Sequence, residues 1–158
     1  LGMNDALIEI SGALIGFSLA LKEPRLVAAA GIITGLTATV SIASSAYLQA
    51  EHALKTSPHR AAFIAGTSYL AIACMLVLPF ILSPSVVLGG LIMFATMLAL
   101  VAVLALYSSI ILQRSYKIQF FQMMILSFGV SLIAFSIGYV IDYWLLTGAL
   151  SGPIIGVY

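Results

Sequence analysis

Stretches of about twenty or more nearly uncharged residues follow one another along almost the whole of this chain, and they leave it few ways to fold. The breaks between them are short and polar. They are Lys22-Glu23-Pro24-Arg25, residues 49–60 with Pro58, Ser83-Pro84-Ser85, and residues 113–119 with Arg114 and Lys117. Five segments result: 3–21, 26–48, 61–82, 86–112 and 120–146. At about 1.5 Å per residue, each is long enough as an α-helix to cross a hydrocarbon core of about 30 Å. Barrel strands would be about ten residues long and alternate in polarity. The segments do neither, so the expected fold class is an all-α membrane protein with five transmembrane helices per protomer. The tail after Leu146 carries Gly148, Gly152, Pro153 and Gly156 and reads as irregular.

Composition closes the soluble alternatives. Of 158 residues, 63% are hydrophobic and 7% charged, where a soluble domain carries about 25% charged residues. A water-facing surface cannot be built from so few charges. A signal peptide would be one short apolar segment, and here the pattern runs end to end. Six Lys and Arg are scattered among the loops, which excludes the basic face that nucleic acid needs. A lone cysteine, Cys74, excludes an intrachain disulfide and reads as a small packed hydrophobe. No nucleophile elbow, HExxH or phosphate-binding glycine loop occurs, so neither an enzyme nor a permanently bound cofactor is expected. The chain begins at Leu1 rather than Met, and a preceding N-terminal domain is expected.

Orientation follows from the basic residues, which accumulate on the cytoplasmic side. A cytoplasmic N-terminus puts Lys55, Arg60, Arg114 and Lys117 inside, with Lys22 and Arg25 outside. The opposite orientation reverses that ratio. An odd number of spans leaves no room for two inverted halves in one chain, but a second copy could supply the other half.

Charge at mid-membrane costs at least about 2.5 kcal/mol and marks function by default. Asp5 and Glu9 both fall in the first segment, four residues apart, on one helix face. Continued at helical spacing, the stripe reads Asp5, Glu9, Gly12, Gly16. Two carboxylates thus lead into a surface of small residues that admits a second helix. The second segment carries a similar groove at Gly31, Gly35, Ala38, Ser45 and Gln49, with Ile42 between, and adds the hydroxyls of Thr34, Thr37, Thr39, Ser41 and Ser44. A close pair of first and second helices is expected. Met3 and Asn4 flank the stripe and join Asp5 and Glu9 as candidate metal ligands. Structural readings stand beside these. Asp5 with Asn4 could cap a helix start, and Glu9 could be hydrogen-bonded to a neighbouring helix. Glu51, His52 and His59 could capture metal in the cytoplasm or belong to a solvated loop. Met75, Met93, Met97, Met123 and Met124 could offer thioethers or fill the core. Asp142 with Tyr139, Tyr143 and Trp144 suits an interfacial belt.

The run Gly2-Met3-Asn4-Asp5-Ala6-Leu7-Ile8-Glu9-Ile10-Ser11-Gly12-Ala13-Leu14-Ile15-Gly16 resembles the first helix of the vacuolar iron transporter family, which reads G-x-N-D-x-L followed by small residues. With Glu9 present it is similar to the prokaryotic branch, related to the membrane domain of proteins fused to a rubrerythrin-type, ferritin-like domain. Residues 31–49, with Ser41-Ile42-Ala43-Ser44-Ser45-Ala46-Tyr47-Leu48, resemble the second helix, and Phe121 through Gly129 to Gly138 the fifth. The resemblance implies a five-helix protomer, a two-fold homodimer and a metal path near the dimer interface. It also implies export of Fe²⁺ or Mn²⁺ from the cytoplasm in exchange for protons, at the cell membrane of a prokaryote or a vacuolar membrane. Asp5 matches the family's first-helix acid. Two departures stand out. The family's second helix reads S-M-A-x-x-E-Y, whereas Ile42 and Ala46 occupy the Met and Glu positions here. The plant-type cytoplasmic metal-binding insertion is absent.

Three functions are therefore expected to compete. The first is a divalent-metal/proton antiporter in which Asp5 and Glu9 of two protomers face each other. The second is a non-transporting membrane anchor or assembly module for a ferritin-like partner domain. The third is a cation or proton channel lined by the same acids.

Overall fold

The structure, a computed structural model, describes residues 2–53, 57–113 and 115–146. Lys55, Arg114 and the glycine-rich tail, for which the sequence carries expectations, lie outside the described residues. Five helices follow in order: α1 (Gly2–Leu21), α2 (Pro24–Ala53), α3 (Pro58–Leu82), α4 (Val86–Leu112) and α5 (Tyr116–Leu146). All five are long and apolar enough to cross a membrane, as a multi-pass membrane protein requires.

Local chemistry sets most of the ends. Pro58 starts α3 at its first turn, where the missing N–H costs nothing. Ser85 caps α4, its hydroxyl accepting from the Leu88 N–H at 3.2 Å. Gln113 ends α4 in the left-handed conformation (φ 50°), with its N–H donating to the Ser109 carbonyl. Lys22, just past α1, adopts a similar φ of 51°. Three helices outrun the expected segments. α2 continues to Ala53 and carries Glu51 and His52 on its last turns, while α3 and α5 begin at Pro58 and Tyr116. Hydropathy marks where lipid begins. A helix can continue beyond it into the polar headgroups.

The surface is apolar, as lipid demands. Phe63 is 71% and Ile110 76% exposed, a state that water would penalise and hydrocarbon tails do not. The interior cluster joins Ile10 and Leu14 of α1 to Tyr69, Leu76 and Phe80 of α3 and Met93, Met97 and Val101 of α4. Among the described residues α1 packs against each of the other four helices, α5 packs against α1 and α4, and α2 and α5 do not meet.

The glycines pair differently from the sequence expectation, which joined Gly12 and Gly16 to the second helix. They face α5 instead. A Cβ on Gly12 would meet Val130 at 2.8 Å, and one on Gly16 would meet the Ala134 carbonyl at 3.2 Å. A Cβ on Gly138 would stand 2.7 Å from the Gly16 carbonyl oxygen. Val130, Ala134 and Gly138 repeat every four residues and taper in size, so two backbones close together along matching grooves. Gly31 and Gly35 do not receive a matching small-residue ridge. They accept side chains as knobs, Leu14 and Val77 at Gly31, Ala73 and Ile10 at Gly35. The most extensive partner of α2 is α3. Cys74 also departs from expectation: it is exposed, on an apolar groove between α2 and α3.

Candidate cation site

Asp5 and Glu9 lie on a side of α1 that borders grooves walled mainly by α2 and α3. Both residues are exposed, although their neighbours Ala6, Leu7 and Ile10 are buried. About 6 Å of helix axis separates them, one turn and a little more. Toward Gly16 the stripe disappears under α5, whereas at Asp5 it borders a groove walled by residues of α2, α3 and α4. A carboxylate left open to hydrocarbon would pay a large desolvation cost. This side of α1 therefore calls for water, a cation or a second polypeptide.

Two grooves run along it. The first, of about 280 Å³, is lined by Glu9, Thr34, Thr37, Ala38, Ser41 and Ile42. The second, of about 500 Å³, opens at the N-terminal end and includes Met3, Asp5, Ile42, Ser45, Ala46 and Gln49. Ile42 belongs to both, so the grooves share a wall. Asn4 is half-buried and lines neither. Neither lining includes a Lys or Arg, so no basic side chain in the grooves offsets the two acids.

Hydrogen bonding sets what these oxygens can do. Thr37 donates its single hydroxyl proton back to its own helix, to the Ile33 carbonyl at 2.9 Å or the Thr34 carbonyl at 3.0 Å. Its oxygen therefore offers lone pairs to the groove and no proton. Glu9 is held from the other side. Tyr69 of α3, with 0% relative exposure, donates its hydroxyl to Glu9 Oε2 at 2.9 Å. The interhelical hydrogen bond considered for Glu9 is therefore present, yet the residue still faces the groove. Asp5 sits in the first turn of α1, inside the helix rather than at a cap, where the helix dipole favours a negative charge. Exposed carboxylates, one of them with an acceptor-only hydroxyl oxygen in its groove, suit a hard or borderline divalent cation, or water donating hydrogen bonds.

Other candidates are dispersed. Among the described residues no three His, Cys, Asp or Glu side chains converge, so Glu51, His52 and His59 form no cluster. A ring nitrogen of His52 lies 2.6 Å from the Leu48 carbonyl, and the His59 ring rests edge-on against Tyr47 with centroids 5.2 Å apart. Met93 and Met97 are buried, Met123 and Met124 pack against the core, and Met75 is exposed. Of the methionines, Met3 stands at the acids. Ile42 and Ala46 face the grooves and bring no ligand atom to them.

Sequence reasoning missed two partners. Tyr69 carries its own signal, because a phenol in an apolar span needs a hydrogen-bond acceptor. Asp142 pairs with Lys22 at 2.6 Å, tying the ends of α1 and α5, and both residues stand next to helix ends where lipid gives way to water. No family model matches this chain, and neither a curated protein nor a solved structure does so.

Proposed function

We propose that the protein exports a divalent metal, Fe²⁺ or Mn²⁺, from the cytoplasm in exchange for protons, as a two-fold homodimer with the N-terminus of each protomer in the cytoplasm. One observation carries this reading. A membrane-spanning helix holds two exposed carboxylates, Asp5 and Glu9, on two adjoining grooves without basic residues, and Glu9 shares its groove with a hydroxyl oxygen that can only accept. The resemblance of residues 2–16 to the first helix of the vacuolar iron transporter family supports the choice of cargo.

A cation entering this groove exchanges hydration water for fixed oxygens. One protomer offers two carboxylates, and a second copy facing it across the grooves brings the number of acids to four. So many adjacent carboxylates cannot all stay ionised without a compensating cation. Metal and protons therefore contend for the same oxygens. Arrival of metal displaces protons, and return of protons on the far side releases metal. The positions of Ile42 and Ala46 remove a thioether and a carboxylate from the groove relative to the family pattern, so the load falls on Asp5 and Glu9.

The test is metal-dependent proton flux in liposomes containing the purified chain. Wild-type protein should couple Mn²⁺ or Fe²⁺ movement to opposite proton movement, and Glu9→Gln and Asp5→Asn should each abolish it. Wild-type flux in both variants removes these residues from the mechanism. Metal flux without proton counterflow favours a channel. Absence of any saturable metal site leaves the membrane-anchor reading.

A further inference from the structure

The groove between α2 and α3 that holds Cys74 includes neither acid, and missing side chains set its shape. Its floor is Gly31, Gly35 and Ala73, all buried, while Ile32, Leu36 and Leu78 stand exposed beside it. The volume is about 240 Å³, and apart from the Cys74 thiol every lining side chain among the described residues is hydrocarbon. The two helices run antiparallel here, with Gly31 against Val77 and Gly35 against Ala73. That register puts Leu70, at one end of the groove, near the middle of α3, and Ile81, at the other end, about level with Val27. From Leu70 to Ile81 the helix axis runs about 16 Å, and one leaflet of the hydrocarbon core is about 15 Å deep. Arg25 stands at the start of α2, about 3 Å beyond the level of Ile81. It precedes Ile32 by seven residues and Leu36 by eleven, about two and three turns, so it shares their helix face. Arg25 is exposed and pairs with no carboxylate among the described residues, whereas nearby Lys22 is engaged by Asp142.

We propose that this groove binds one phospholipid of the surrounding membrane, with an acyl chain along the groove and the phosphate at Arg25. The proposal does not depend on metal transport. A lipid beside a convex helix touches protein on one side only. A chain lowered onto Gly31 and Gly35 touches the floor and both walls, and its many small dispersion contacts add up. The Arg25 stem can lie along the apolar surface while its guanidinium reaches the headgroup level. There it offers paired N–H donors that match phosphate oxygens. A purely apolar channel one leaflet long, ending at a free cation where lipid gives way to water, repeats the two parts of a phospholipid in their order across the membrane.

Cys74 is the only cysteine of the chain and lines the groove, so it reports occupancy. The full chain in an uncharged detergent is treated with a maleimide while phosphatidylglycerol is added at constant detergent concentration. Alkylation of Cys74 should slow saturably, with one phospholipid per chain retained in native mass spectrometry. Arg25→Gln should raise the half-protecting lipid concentration about fivefold, the scale of one basic residue at a lipid surface. Diacylglycerol, with chains but no phosphate, should protect wild-type protein about fivefold less well than phosphatidylglycerol. Glycerol phosphate, with no chains, should give no protection. Equal protection of wild type and Arg25→Gln, or equal protection by diacylglycerol and phosphatidylglycerol, overturns the proposal. So does protection by glycerol phosphate alone, or alkylation that no lipid concentration slows. Protection that needs no lipid and grows with protein concentration means that a second copy covers the groove, and it overturns the proposal too. Should Arg25→Gln fail to fold, the comparison of diacylglycerol with phosphatidylglycerol on wild-type protein decides.

Discussion

Gly16 and Gly138 touch backbone to backbone where α1 crosses α5: a Cβ on Gly138 would lie 2.7 Å from the Gly16 carbonyl oxygen. This crossing covers the glycine half of the α1 stripe and leaves the half with Asp5 and Glu9 open.

Gly138→Ala should force the two helices apart. Backbone cannot yield as a flexible side-chain tip can, so the expected cost is about 1–3 kcal/mol, the range for overpacking. Thermal unfolding in detergent should show the loss. Ala at Gly129, inside α5 where a Cβ meets nothing within 4 Å, should leave the midpoint unchanged or raise it, by up to about 1 kcal/mol of helix propensity.

Ser127 and Ser131 are buried on α5, and their hydroxyls have no hydrogen-bond partner among the described residues. An unpaired hydroxyl in a low-dielectric interior is unfavourable. Ser127→Ala should therefore be neutral or stabilising by up to about 1 kcal/mol, measured by the same unfolding assay. A clear loss of stability would show that the hydroxyl is satisfied in the membrane.

Gln113 holds a left-handed conformation at the end of α4. For a residue with a Cβ this costs about 1–2 kcal/mol. Gln113→Gly should recover part of it, raising the unfolding midpoint. Ser85→Ala at the other end of the same helix should lower it, by about 1 kcal/mol for a lost cap.

The Lys22–Asp142 pair is short, but Lys22 is 58% exposed. Solvent and salt screen such a contact, and exposed pairs contribute at most about 1 kcal/mol. Asp142→Asn should therefore shift stability slightly, and the shift should shrink as salt rises from low to high concentration. A large, salt-independent loss would mean that Asp142 is desolvated by something else at that end of the helices.

The number, order and approximate limits of the helices are legible in the sequence, and for a physical reason. In lipid each span must satisfy its own backbone hydrogen bonds and be long enough to cross, and both conditions are local. Hence the fourth segment, 86–112, coincides with α4, and Pro58 marks the start of α3. The pairing of Asp5 with Glu9 on one face is equally local, because residues four apart on a helix share a face. Which helix covers that face is not local. Small residues mark Gly12, Gly16, Gly31 and Gly35 as places of close approach, but several helices offer complementary surfaces. Only the assembled bundle puts Val130, Ala134 and Gly138 against α1, leaves α2 and α5 apart, and brings the Tyr69 hydroxyl to Glu9. Lipid makes the helices, while side-chain fit between distant segments chooses their neighbours.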